Sequence, residues 1–276
     1  MKYQDFIPPI LYKVVHRFVS ISSRRNRTFE SYAAALESCR GRGYEDSLLV
    51  DVVYSKTIRL RKQADTSSIP LQDSTLQSLA AILMAQNSNR TDEFIIMDFG
   101  GACGAHYFMF RPLLPSGVKI RWIVVETPAM VRRGRGLETE ELRFHESILG
   151  VKARLGHVDL IHSSGTLQYV PDPENTVREM LDCAPNFLFL NRLALSAKDK
   201  IITLQESLLS SNGPGPMPED IQDRLCRYPV TYFPKARFEN LLCQKYNIRF
   251  RLGETLASFS DTPLFTNGGY LAERRA

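Results

Sequence analysis

The sequence predicts an α/β protein: a Rossmann-like, doubly wound, mostly parallel sheet of seven strands, preceded by an N-terminal helical extension. Three observations predict it. From about Asp92 onward, short apolar runs alternate with longer helical patterns, as buried parallel strands and their crossover helices do. The first run ends in a glycine-rich turn, DFGGACG over 98–104, immediately before a helical pattern. The second run ends in an acid, Glu126, at the spacing a βαβ unit needs.

The elements follow in order. After Pro8 and Pro9, the residues Ile10, Leu11, Val14, Val15, Phe18 and Val19 recur at helical spacing. Phe29–Ser38, Asp46–Ser55 and Leu71–Ala85 read as further helices, with Lys62–Pro70 as a connecting loop. Residues 1–92 therefore form the extension and 93–276 the Rossmann-like domain. Its strands are expected at 94–99, 120–126, 142–145, 158–164, 187–191, 246–251 and 269–274, with helices starting near Pro128 and Pro173. Residues 192–245 form an insertion. Its stretch SSNGPGPMPED (210–220) is too rich in Pro and Gly for a regular element and reads as a substrate lid.

Composition sets the frame. The chain has 276 residues, 43% hydrophobic and 24% charged, ordinary for a globular protein with a real core. The net charge is +5. The surplus lies in residues 1–62, which hold twelve Lys or Arg and six Asp or Glu. A basic amphipathic helix there allows peripheral membrane contact, although a solvated face is the commoner use of such charge. Five scattered cysteines without a CxxC pair suit a reducing compartment and argue against a zinc site. With no signal-peptide pattern and no apolar run near membrane-spanning length, the expected location is cytoplasmic.

The chemistry concentrates at the strand ends. Gly100, Gly101 and Gly104 let the backbone approach a ligand closely, and the following helix start offers N–H groups to an anion. That anion is a pyrophosphate in dinucleotide enzymes and the methionine carboxylate in methyltransferases. Glu126 is placed to accept two ribose hydroxyls, which disfavours a 2′-phosphate. Asp98, two positions before the first glycine, favours S-adenosylmethionine over a nicotinamide cofactor. None of the eleven tyrosines has Lys four positions later, which removes one NAD-dependent class. Beyond the fourth strand, VDLIHSSGTLQYVPDP (158–173) puts His162, Ser163, Tyr169 and Asp172 where ligands of doubly wound sheets sit. His162 is the best candidate for a general base, with His106 and His145 as weaker rivals.

These residues resemble a known pattern. Asp98-x-Gly100-x-Ala102-x-Gly104, with Ala102 in place of the usual middle glycine, is similar to the first motif of class I methyltransferases. Glu126 matches the acid ending their second strand, and VDLIHSSGTLQYVPDP their fourth-strand motif. Over nearly its full length the chain resembles a methyltransferase family associated with polysaccharide and O-antigen biosynthesis. The likeness lies in DFIPPIL (5–11), GYEDSLLVDVV (43–53), DFGGACGAHYF (98–108), SSGTLQYV (163–170), NRLAL (191–195) and YPVTYFPKARFENLL (228–242).

The resemblance implies S-adenosyl-L-methionine held by Asp98, Gly100, Gly101, Gly104 and Glu126. His145 or Glu146 would meet the adenine edge, and Ser163 would line the cofactor from below. The implied reaction is O-methylation of a small-molecule or glycan acceptor, with His162 as base and Tyr169, Asn191 and Arg192 as substrate contacts. No metal and no nucleic acid are expected; a homodimer is compatible. Two rivals stand beside this reading: a nicotinamide-dependent oxidoreductase, and a non-catalytic cofactor-binding or assembly protein using the extension as its interface.

Overall fold

The computed structural model describes residues 28–39, 46–66, 72–89, 91–254 and 265–275. The helix predicted over 10–19 lies outside these residues. The extension contributes α1 (Tyr32–Ser38), α2 (Ser47–Thr66) and α3 (Asp73–Ser88). Ser31 caps α1 by accepting from the Ala34 N–H. Helix α2 runs into the stretch predicted as a loop from Lys62, because its buried face, from Leu49 through Val53 to Leu60, carries it past the polar residues.

Among the described residues there are nine strands where seven were predicted. They are β1 (Glu93–Phe99), β2 (Lys119–Val125), β3 (Leu142–His145), β4 (Leu160–Ser164), β5 (Phe187–Ser196), β6 (Ile201–Leu208), β7 (Leu225–Pro234), β8 (Tyr246–Glu254) and β9 (Phe265–Arg274). Between them lie α4 (Ala105–Phe110), α5 (Pro128–Gly134), α6 (Ile148–Leu155), α7 (Pro173–Asp182) and α8 (Lys235–Cys243). Pro128 and Pro173 sit in the first turns of their helices, and Asp172 caps α7 through the Asn175 N–H.

Pairing gives one seven-stranded sheet in the order β3-β2-β1-β4-β5-β9-β8, parallel except for β9. The chain direction across the sheet reverses between β1 and β4, the switch point beside which ligands of such sheets bind. The two unpredicted strands, β6 and β7, form an antiparallel hairpin inside the 192–245 insertion. The hairpin joins the sheet where Leu195 and Ser196 of β5 pair with Phe233 and Pro234.

Alternation along the strands splits the core into two layers. Phe94, Ile96, Trp122, Leu160 and Phe189 pack against α2–α5. Met97, Ile123, Ile161, Leu188 and Leu190 pack against α6–α8. The predicted lid is an irregular segment between β6 and β7 that docks on α2. Lys56, only 2% exposed, donates from Nζ to the carbonyls of Ser210 (2.6 Å) and Asn212 (2.8 Å).

Candidate cofactor and acceptor site

Asp98 lies at the carboxyl end of β1, level with His162 of β4 and wholly buried. Its Oδ1 is 2.8 Å from His162 Nδ1, and its Oδ2 is 3.1 Å from His106 Nδ1 and accepts from Trp122 Nε1 at 3.3 Å. Burial alone would raise this carboxyl group. The two histidines, by charge and hydrogen bond, outweigh burial and hold it well below the usual carboxylate range. Burial in turn pushes His162 below the usual histidine value. His162 Nε2 lies 3.0 Å from the Ser78 hydroxyl, which itself donates to the Ser74 carbonyl at 3.1 Å. The ring also stacks on Phe189.

Two of the predicted residues are enclosed. His162 has both nitrogens engaged and no exposed surface, so it does not stand open at the sheet edge where a base must meet a hydroxyl. Asp98 is equally closed. Gly101 lies directly over it, and a β-carbon at that position would come within 2.3 Å of Oδ2. Asp98 thus braces the glycine turn from beneath. Asp98, His106 and His162 also bring three donor atoms within 4.8 Å of one another, and their direct hydrogen bonds account for that convergence.

The turn itself has left-handed backbone at Gly100 (φ 75°), Ala102 (φ 52°) and Gly104 (φ 81°). Ala102 is the residue standing where the motif usually has glycine, and it pays for that conformation. Its N–H donates to Glu126 Oε1 at 3.1 Å, while Glu126 Oε2 accepts from the Thr127 N–H at 2.9 Å. Burial, more than these bonds can offset, and the charge of Asp98 push Glu126 up to about 7. The Glu126 carboxylate is therefore clamped against the glycine turn at the end of β2. Close by, the hydroxyl oxygens of Thr127 and Ser163 are buried with no hydrogen-bond partner among the described residues. Polar atoms orphaned at the ends of β2 and β4 fit a polar ligand lying between those strands.

The other predicted residues fall in two places. His145, at the end of β3, accepts the Glu126 N–H with its carbonyl. Its ring and exposed Glu146 line a cleft of about 850 Å³ at the sheet's outer edge, with Arg135, Arg143 and Arg154. Burial and then Arg154 push the His145 ring below its usual range. Tyr169, Asn191 and Arg192 gather at the ends of β4 and β5. Tyr169 donates to Gln205 Oε1 of β6 at 3.0 Å and meets Tyr228 of β7 edge-on. Asn191 donates to Gln77 of α3 at 2.8 Å. Sequence reasoning missed Ser78, Gln77 and Trp122, which carry no motif, and Thr166, whose side chain packs on Gly100.

No family model matches the chain, and no curated protein is detectably similar to it. Among solved structures, it is similar to an amino pentose methyltransferase of calicheamicin biosynthesis from Micromonospora echinaspora. That match has 14% identity and a TM-score of 0.47, covering 78% of this chain and 94% of that one. It is also similar to an S-adenosylmethionine-dependent methyltransferase from Clostridium acetobutylicum (12% identity, TM-score 0.46, 81% of this chain and 99% of that one). A third is magnesium protoporphyrin IX methyltransferase from Synechocystis (12%, TM-score 0.43, 83% and 96%). These likenesses are distant. The fold rests on the strand order itself, which is that of the Rossmann-like sheet of class I methyltransferases.

Proposed function

We propose that the chain is an S-adenosylmethionine-dependent methyltransferase acting on a hydroxyl of a sugar or other small acceptor. The observation that carries this reading is Glu126, a carboxylate at the end of β2 clamped against the glycine turn of β1 beside the switch point. Each of its oxygens has a lone pair left for a ribose hydroxyl. The orphaned hydroxyls of Thr127 and Ser163 supply further polar contacts for a nucleoside. Asp98, locked by His106 and His162, fixes the turn's shape without touching the ligand.

S-adenosylmethionine supplies a methyl group on a cationic sulfur that is already activated for displacement. The protein's part is therefore to align the acceptor and exclude water. Tyr169, Asn191 and Arg192 stand on the acceptor side, under the β6–β7 hairpin. A sugar acceptor is the class implied by the resemblance read from segments such as NRLAL (191–195) and SSGTLQYV (163–170).

Calorimetry tests the reading. Wild type is titrated with S-adenosylmethionine, S-adenosylhomocysteine, NAD and NADH, and the titrations are repeated on Glu126→Ala. Binding of the two sulfur cofactors alone, lost in the variant, is the expected outcome, and an acceptor screen starting with sugars follows. Well-folded protein that binds NADH, or none of the four, refutes it.

A further inference from the structure

We infer that Arg192 is the anchor for an anionic group, a carboxylate or a phosphate, on the acceptor; this rests on the methyltransferase reading and narrows its substrate class. The starting point is an irregularity in β5. Leu190 pairs with Tyr270 of β9 and Leu193 with Gly268, so two residues of β5 face one of β9. This is a β-bulge, and bulges next to active sites re-aim side chains. Strict alternation from Leu190 would have pointed residue 192 into the layer beneath α7 and α8. The bulge gives that place to Leu193 and turns Arg192 outward, exposed, at the carboxyl end of the sheet.

The bulge is built and held. Arg192 has φ 54°, one of three non-glycine residues with left-handed backbone among those described. Strain of this kind persists only where its surroundings over-determine it, and it marks functional positions. Here the surroundings do so. The Arg192 N–H donates to Asn191 Oδ1 at 2.9 Å, and its carbonyl accepts from Gln168 Nε2 at 3.1 Å. Asn191 and Gln168 are both more than nine-tenths buried. Asn191 is fixed in turn by Gln77, and Gly269 leaves it room, since a β-carbon there would lie 2.3 Å from Asn191 Oδ1.

The guanidinium then lies over Gly165, the first residue past β4, where a β-carbon would sit 3.2 Å from its central carbon. Arg192 is among the arginines that make no ion pair with a carboxylate among the described residues. The side chain of Gln168, whose amide nitrogen holds the Arg192 carbonyl, has a buried Oε1 with no hydrogen-bond partner among the described residues. A strained, braced guanidinium with a free fork at the acceptor side of the sheet suits two-point recognition of a carboxylate or phosphate, which a neutral sugar does not offer.

The test uses the full chain saturated with S-adenosylhomocysteine. Glucose 6-phosphate, glucuronate and glucose are titrated calorimetrically into wild type, Arg192→Gln and Arg192→Lys, with thermal melts to confirm folding. The expected result is that an anionic sugar binds at least tenfold tighter than glucose. Arg192→Gln abolishes that preference, Arg192→Lys keeps part of it, and affinity for S-adenosylhomocysteine is unchanged in both. Whether phosphate or carboxylate is preferred identifies the group. The inference is overturned if Arg192→Gln binds the anionic sugars like wild type, or if wild type does not prefer them over glucose. It is also overturned if Arg192→Gln weakens S-adenosylhomocysteine equally, which would place the guanidinium on the cofactor's own carboxylate. Failure of wild type to bind S-adenosylhomocysteine refutes the methyltransferase reading instead.

Discussion

Replacing Glu126 by Gln tests the electrostatics of the site. The Glu126 carboxyl ionises near 7 in the folded chain against an ordinary value of 4.5, chiefly because it is buried. Raising a folded-state ionisation means that the associated stability is complete below the unfolded value and is lost as the pH climbs through 7. At about 1.4 kcal/mol for each tenfold change, wild type loses about 2 kcal/mol between about pH 5 and about pH 8, after allowing for the part of the carboxylate that water reaches. The neutral amide of Glu126→Gln has no such loss. Every other titrating group is common to both proteins and cancels in their difference. Urea unfolding of the two proteins across this range should therefore show Glu126→Gln gaining about 2 kcal/mol on wild type as the pH rises, or roughly 4 °C in melting temperature. In parallel, wild-type affinity for S-adenosylhomocysteine should rise about tenfold from about pH 6 to about pH 8 as the hydroxyl-accepting carboxylate ionises, while the variant stays weak and flat. Stability curves that run parallel across the range would refute the argument that burial controls this group.

Two further perturbations follow from the same structure. Ala102→Gly removes a left-handed alanine; relief of about 1–2 kcal/mol, less the added freedom of the unfolded chain, should leave a gain of about 0.5–1 kcal/mol by urea unfolding, and a loss would contradict the φ of 52°. Lys56→Met leaves the carbonyls of Ser210 and Asn212 without their donor. Limited proteolysis should then cut between residues 212 and 222 at least about tenfold faster than in wild type, and equal rates would mean that Lys56 does not hold the segment down.

The sheet was legible because its buried strands are continuous apolar runs, and the glycine turn with Glu126 because both sit at the ends of such runs. The β6–β7 hairpin was not. The burial of β6 is partial along most of its length, and β7 carries Pro229, which argues against a strand when read locally. The state of Asp98 was also hidden. Its partners come from three different elements, Trp122 of β2, His106 of α4 and His162 of β4, and no spacing rule links them. His162 looked like a base because strand ends in these sheets face ligands; its side chain instead points down into the layer covered by α3, where Ser78 meets it. Tyr169 lies just past the end of β4, and Asn191 and Arg192 lie in β5. The bulge that aims Arg192, however, exists only in the pairing of β5 with β9.

Helix α3 reaches two separate hydrogen-bond chains. Two neighbouring residues on it reach opposite halves of the site: Ser78 bonds His162, which bonds Asp98 under the glycine turn, and Gln77 bonds Asn191, which holds the backbone of Arg192. The proposed cofactor half and the proposed acceptor half are thus tied to a single turn of helix. A shift of α3 along its axis therefore bears on both bonds at once. A chain cut at residue 93, where the sequence suggests a boundary, would discard that tie along with one wall of the core.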